Sequence, residues 1–153
     1  MQGRWPPPYA QAMIRSGRAS LVVLSTDTEP ASISEMLTLE PSEVGRKGAQ
    51  LRSGRVREHH FWSLDVDSLD NTDEDQSGTR ALRALLVRCG PALDRVGKLP
   101  PDCDARIWWS ADSDSAQGGF VLPVDLTEKI SALGLDVYAT VFFDRGSEKV
   151  PST

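Results

Sequence analysis

Five basic residues stand within twelve positions that contain no acidic residue, and they are the first candidates for a chemical role in this chain. They are Arg46, Lys47, Arg52, Arg55 and Arg57. Arginine suits bidentate contacts with carboxylate or phosphate groups, because its planar guanidinium matches the geometry of both. The cluster therefore predicts a basic loop, residues 46–57, that binds a small anion or a nucleotide through Arg46, Lys47 and Arg52. The same pattern is also typical of a solvated loop.

Residues suited to catalysis or metal binding do not occur in a recognised arrangement. His59 and His60 are the only histidines, and adjacent residues of a strand point to opposite faces, so the two cannot share one metal ion. The acidic run that starts at Asp73 begins like a calcium loop, but Ala84 stands where a bidentate glutamate is needed. No nucleophile elbow, Walker loop or dinucleotide-binding glycine motif is present. We therefore expect no catalytic residue, no metal and no cofactor, and the sequence gives no support for an enzyme.

Aromatic residues on two alternating segments form a second candidate surface. If Trp109 and Val141 face the core, then Trp108, Tyr138 and Phe142 project from the other side of the sheet. In a two-layer protein that side is open to solvent, and exposed apolar patches of this kind mark interfaces. The patch has four possible covers: an N-terminal arm, the basic loop, a second copy of the chain, or a foreign protein or ligand.

Charge is distributed unevenly along the 153 residues. The net charge is −5, but residues 1–57 carry eight bases and five acids, whereas residues 58–153 carry nine bases and seventeen acids. A run of acids at residues 65–75 lies beyond a short predicted strand from the basic loop, so the two ends of the domain should differ in charge. Because nucleic-acid-binding domains are usually basic overall, we expect no nucleic-acid partner.

The first half of the chain alternates predicted strands and helices. Residues 21–24 form a short apolar run that is typical of a buried strand. A helix follows, with Thr28 as its N-cap and Pro41 as its end. After the basic loop, apolar and polar residues alternate over residues 62–66, which predicts a strand with one buried face.

The second half predicts a helix and then a mixture of strands and helices. Apolar residues at helical spacing between residues 82 and 96 predict a helix that the Gly90-Pro91 pair must kink or divide. The remaining predicted elements are a two-stranded hairpin, a helix and a last strand, at residues 105–109 with 119–122, 125–133 and 137–144. The last six elements follow the β-α-β-β-α-β order of ferredoxin-like folds. We therefore predict an α+β two-layer sandwich with a mainly antiparallel sheet, helices on one face, and a β-α unit before the ferredoxin-like core.

One domain accounts for most of the chain. We predict a proline-containing N-terminal arm at residues 1–19, a single α+β domain at 20–145 and a C-terminal tail at 146–153. No window approaches the roughly 20 apolar residues of a membrane span, and the first residues lack the apolar segment of a secretory signal. Cys89 and Cys103 match no metal or redox spacing, which leaves open whether they pair. We expect a cytoplasmic protein with no membrane contact.

Three short motifs follow one another in the first half of the chain. They are Ile-Ser-Glu-Met-Leu-Thr-Leu-Glu-Pro at residues 33–41, Arg46-Lys47-Gly48, and Trp62-Ser63-Leu64. In these motifs the chain resembles DUF4279, a bacterial domain of unknown function, over about residues 20–144. The resemblance implies no activity. It implies shared roles for the motif residues: core packing for Trp62, a turn with positive φ for Gly48, and a less constrained role for Lys47.

Two functions follow from these observations. The first is a non-enzymatic protein-interaction module, of the kind found in immunity-like proteins, that binds a protein partner through the aromatic sheet face. Its alternative is a small anionic-ligand or nucleotide-binding protein that uses the basic loop. Self-association through the aromatic face is compatible with either function.

Overall fold

The computed structural model of the chain describes residues 14–114 and 120–143, which form a mixed α+β fold. The five strands are β1 (Ile14–Ser25), β2 (Glu43–Gly45), β3 (His60–Asp70), β4 (Cys103–Ser113) and β5 (Val137–Phe143). The helices are α1 (Pro30–Leu37), α2 (Arg80–Cys89), the single turn α3 (Leu93–Val96) and α4 (Val124–Leu133). The predicted α+β class is confirmed.

The sheet is built around β1, and its strand order is β2-β3-β1-β4-β5. β1 pairs antiparallel with β3 on one side and with β4 on the other. β2 pairs antiparallel with β3, whereas β5 runs parallel to β4. The sheet is therefore mainly antiparallel, as the sequence predicts, but it has one parallel pair at the β5 edge.

β1 begins at Ile14, so residues 14–19, which the sequence placed in the N-terminal arm, belong to the central strand. The sequence hides this half of the strand because it is polar and contains Gly17. A side chain at Gly17 would start 2.9 Å from the carbonyl oxygen of Gly78 and 2.9 Å from the indole nitrogen of Trp109. Gly17 is thus a site of close packing within the strand. Residues 1–13 and the tail at 146–153 lie outside the described residues.

All the helices contribute to one core on a single face of the sheet. The fully buried side chains of this core come from both layers, and the largest are Trp62, Trp109, Leu21, Ile33, Leu37, Leu64, Leu82, Leu85, Ile107 and Leu126. The indole N–H of Trp62 donates a 3.0 Å hydrogen bond to the hydroxyl of Ser34 and so links β3 to α1. Two residues of the DUF4279-like motifs are therefore direct partners in the core.

The helix predicted between residues 82 and 96 is divided where the sequence expects it. α2 ends at Cys89, Gly90–Ala92 form a 3-10 turn, and α3 follows at once. Pro91 causes the break because it has no N–H to donate and its ring clashes with the preceding turn. The last helix, α4, ends as predicted at Gly134, whose φ of 68° lies in the left-handed region.

The predicted hairpin at residues 105–109 and 119–122 is wrong, and the ferredoxin-like order is not adopted. β4 is one long strand, and Phe120 lies outside any strand with its ring edge-on to Trp109, at 4.9 Å between ring centroids. Residues 120–123 form no strand, Phe120 and Leu122 stay exposed, and Pro123 could not donate a ladder hydrogen bond. β5 instead returns through α4 to pair in parallel with β4.

The loop before α1 is held by the carboxylate of Asp102, which precedes β4. The backbone N–H groups of Asp27 and Thr28 donate to it at 2.9 and 2.8 Å, and the hydroxyl of Thr28 donates at 2.8 Å. These hydrogen bonds, of which the one from the Asp27 N–H has the largest effect, lower the pKa of Asp102 to about 2. The predicted N-cap role of Thr28 is therefore wrong: Glu29 occupies that position, and Thr38 with a φ of 56° ends the helix before Pro41.

The loop between β3 and α2 is held by contacts of one acid of the acidic run, Asp75. The carboxylate of Asp75 accepts hydrogen bonds from the N–H and hydroxyl of Ser77 and lies 3.9 Å from the Nε of Arg83. Arg83 also makes a bidentate pair with Asp125 of α4, at 2.6 and 3.0 Å. This hydrogen bonding lowers the pKa of Asp125 to about 2. Asp75 thus closes a turn of this loop, and Arg83 connects the loop and α2 to α4.

The bond between Trp62 and Ser34 gives a test of the core. Ser34→Ala leaves the buried indole N–H without an acceptor, so we expect the free energy of unfolding to fall by about 1–3 kcal/mol. Ser32→Ala makes the same change on the same helix away from Trp62, and it should alter stability by less than about 0.5 kcal/mol. Urea denaturation measures both variants. Equal stability of the two variants would contradict the assigned hydrogen bond.

The contacts of Asp102 predict a pH dependence of stability. The folded-state pKa lies below the usual 3.8, so the charged carboxylate stabilises the fold above about pH 4, and this contribution is lost as the pH falls towards 2. We expect Asp102→Asn to have a lower Tm than the unchanged protein at pH 7, with the difference shrinking between pH 4 and 2. Asp67→Asn, on an exposed strand position, is the control and should keep its Tm at pH 7. A difference that persists undiminished at low pH would refute the assignment.

Candidate functional site

The side of the sheet opposite the helices, which we call the open face, carries the three aromatic residues that the sequence singled out. Trp108 and Tyr138 are each 38% exposed and Phe142 is 55% exposed. Trp108 of β4 pairs directly with Tyr138 of β5, and their ring centroids lie 4.9 Å apart at 33°. Phe142 is four residues further along β5 on the same side. We call these three residues the aromatic patch.

Arg106 extends the aromatic patch, and the sequence analysis missed it. Its guanidinium lies 4.6 Å from the centre of the Tyr138 ring and forms an ion pair with Asp104. The hydrogen bond from Asp104 raises the pKa of Arg106 further above its ordinary value. Its Nε is buried and makes no hydrogen bond within the described residues. The alternation that selected Trp108 could have found Arg106, because residues two apart in a strand share a face.

The other end of the open face is covered by the basic loop. Phe61, a fourth aromatic residue of this face, is only partly exposed, and the guanidinium of Arg57 lies 5.3 Å from its ring centre. A Cβ at Gly45 would be 2.5 Å from that guanidinium, so the missing side chain leaves room for Arg57 against the sheet. The basic loop, one of the four possible covers of the open face, therefore packs on Phe61 but leaves the aromatic patch exposed.

The basic loop contains a small hairpin. Gln50 forms an antiparallel bridge with Val56, and Arg52 lies in the turn between them. We call residues 49–57 the basic hairpin. Gly48, just before it, has a φ of +90°, which confirms the turn role implied by the family resemblance.

The three cations assigned to an anion site have different surroundings. Arg46 lies 3.9 Å from Glu29, and the ammonium of Lys47 donates to the carbonyl of Thr26 at 3.4 Å. Both therefore contact the segment that leads into α1, whereas Arg52 lies in the hairpin turn. The backbone N–H of Lys47 also donates to the Nδ1 of His60 at 3.0 Å. Lys47 thus has a structural role in addition to its charge.

A different set of residues lines a cleft of about 670 Å³ between the basic hairpin and the end of β1. Its apolar residues are Leu24, Leu51 and Val56, and its cationic or titratable ones are Arg55, Arg57 and His59. Glu58 contributes one carboxylate. Sequence reasoning chose cations by their adjacency in the chain, whereas the turn at Arg52 folds Arg55 and Val56 back towards β1.

Two further features concern the metal-ligating side chains and the cysteines of the described residues. Within residues 14–114 and 120–143, no group of three or more His, Cys, Asp or Glu side chains is arranged to hold a metal ion. Both cysteines are free, and burial raises the pKa of the Cys89 thiol to about 11. A thiol with this pKa stays protonated at neutral pH and is a poor nucleophile. No helix in the described part of the chain is long and apolar enough to cross a membrane.

Comparison with known proteins gives one match. A family model described as Domain of unknown function (DUF4279) matches residues 15–141. A search of the curated proteins found no match, and neither did a search of the solved structures. The matched residues run from the second residue of β1, the central strand, to Val141 in β5, and they include the Trp62–Ser34 pair and Gly48. The chain therefore belongs to the DUF4279 family.

Proposed function

We propose that this chain is a non-enzymatic protein-interaction module that binds its partner through the aromatic patch. The observation that carries the proposal is the exposure of Trp108, Tyr138 and Phe142 on one side of two neighbouring strands. Trp and Tyr are the residues that most often anchor protein interfaces, because they bury a large area at a small cost in side-chain entropy.

The surroundings of the aromatic patch support the same function. Stable interfaces commonly have an aromatic centre with arginine nearby and a polar rim. Arg106 lies against Tyr138 and forms an ion pair with Asp104, the strand pairing sets Asp112 beside Phe142, and Asp136 interacts electrostatically with Arg106. A partner with an apolar centre and basic residues at its margin would match this arrangement.

β5 adds a second means of binding, because it is an edge strand. Its sequence, Val-Tyr-Ala-Thr-Val-Phe-Phe, contains no charged residue and no proline. Natural sheet edges are commonly protected by such residues, and an unprotected edge favours pairing with another strand. Within the described residues, β5 pairs only with β4. Self-association, with β5 of one copy beside β5 of another, is one form that the proposed interaction takes.

The proposal places this interaction in the bacterial cytoplasm. Free cysteines are typical of proteins from reducing compartments, and both cysteines of this chain are unpaired. In an immunity-like role the binding event is itself the function, so no catalytic residue is required.

A second candidate function, the binding of a small anionic ligand or nucleotide at the basic loop, is favoured by one observation. The cleft beside the basic hairpin brings two arginines together with apolar side chains. This candidate uses the opposite end of the open face and does not compete with the first.

Trp108→Asp tests the interaction proposal. A charge in the centre of the patch should weaken partner binding, or dimerisation, by about tenfold or more, as loss of an interface anchor does. Val87→Asp is the matched control, since Val87 is 79% exposed but lies on α2 in the helical layer. Light scattering over a concentration series measures self-association, and affinity capture from bacterial cytoplasm followed by mass spectrometry measures binding of other proteins.

The proposal requires that the unchanged protein and Val87→Asp behave alike and that Trp108→Asp differ from both. Unchanged oligomeric state and unchanged partner recovery in Trp108→Asp would contradict it. Thermal melts of both variants show whether a loss of binding comes from unfolding.

A further inference from the structure

We infer that the cleft between the basic hairpin and β1 binds a small organic anion, a carboxylate or phosphate group attached to an apolar body. The inference rests on the second candidate function and gives it residues and a ligand class. The cleft volume of about 670 Å³ falls within the range of about 300–1,000 Å³ that is usual for small-molecule sites.

The cationic side of the cleft suits an anionic head group. Two arginines, Arg55 and Arg57, line the cleft together with one acid, Glu58. A guanidinium can donate two parallel hydrogen bonds to one carboxylate or phosphate group. Arg57 is already held between the Phe61 ring and Gly45, so its ordering costs less side-chain entropy when a ligand binds.

The apolar side of the cleft indicates what the head group is attached to. Leu51 is 37% exposed and Val56 is 58% exposed, and neither belongs to the core. Both line the cleft with Leu24, which lies on the open face at the end of β1. An inorganic anion would leave these side chains in water, whereas an alkyl or aryl group on the ligand would bury them. The site therefore favours an amphipathic anion over inorganic phosphate.

This site is distinct from the set of cations that the chain order suggested. Arg46 contacts Glu29, and Arg52 lies in the turn of the basic hairpin; neither lines the cleft. These two arginines and the two of the cleft, Arg55 and Arg57, lie within twelve positions, so the long-range attraction of an anion should depend on all four about equally. Direct contact should depend only on Arg55 and Arg57. This difference separates a built site from a diffuse positive charge.

The test is an NMR titration of the full chain with phenyl phosphate, followed through backbone amide shifts. The double variant Arg55→Gln/Arg57→Gln removes two charges from the cleft, and Arg46→Gln/Arg52→Gln removes two charges outside it. We expect the Kd to rise by about tenfold or more in the first variant and by about twofold or less in the second. Inorganic phosphate and benzyl alcohol, titrated separately, should each bind more weakly than phenyl phosphate.

Each of the remaining outcomes contradicts a different part of the inference. No saturable binding of phenyl phosphate by the unchanged protein overturns both the cleft and the anion-binding function. An equal loss in the two double variants shows attraction by net charge only, and a loss confined to Arg46→Gln/Arg52→Gln moves the anion site out of the cleft while keeping the function. Inorganic phosphate that binds as tightly as phenyl phosphate overturns the ligand class. Thermal melts check that both double variants remain folded, which matters most for Arg57 because it packs on Phe61.

Discussion

The double pairing of β1 is the constraint on which the rest of the structure depends. β1 is hydrogen-bonded to β3 on one side and to β4 on the other, so its register decides which residues share each face of the sheet. Leu21 stands between Leu64 and Ile107 on the helical side, and Val22 between Ser63 and Arg106 on the open side. A slip of one residue between β1 and β4 would exchange Trp109 and Trp108, putting the wrong indole in the core.

Because the helices cover only one face of the sheet, the side chains of the open face are either covered by the basic hairpin or left exposed. The basic hairpin covers one end through Arg57 and Phe61, which creates the cationic cleft. At the other end, the rings of Trp108 and Tyr138 contact each other at a tilt, and both residues stay partly exposed. The open face thus offers two surfaces of different character, one suited to a small organic anion and one to an apolar protein surface.

The sequence predicts those features that depend on local patterns. Alternation places Trp108 opposite Trp109, and Gly90-Pro91 divides a helix at the correct residue. It could not predict features set by distant contacts. In the sequence Gly17 looks like a break between the N-terminal arm and the domain, because Trp109, whose close packing requires a glycine there, lies 92 positions away. The cleft depends on a hairpin that brings Val56 back to β1. The ferredoxin-like order failed for the same reason: the pairing of β5 with β4 is non-local, and Phe120 packs on Trp109 without forming a strand.

The central claim is that the aromatic patch is accessible in the free protein, and hydroxyl-radical footprinting with mass spectrometry tests it most directly. Four tryptophans are present, which allows comparison of one residue type in different surroundings. The account predicts rapid oxidation of Trp108, together with Tyr138 and Phe142, while the buried Trp62 and Trp109 are protected. Protection of Trp108 equal to that of Trp62 in the monomeric protein would show that the chain covers its own patch, and it would contradict the account.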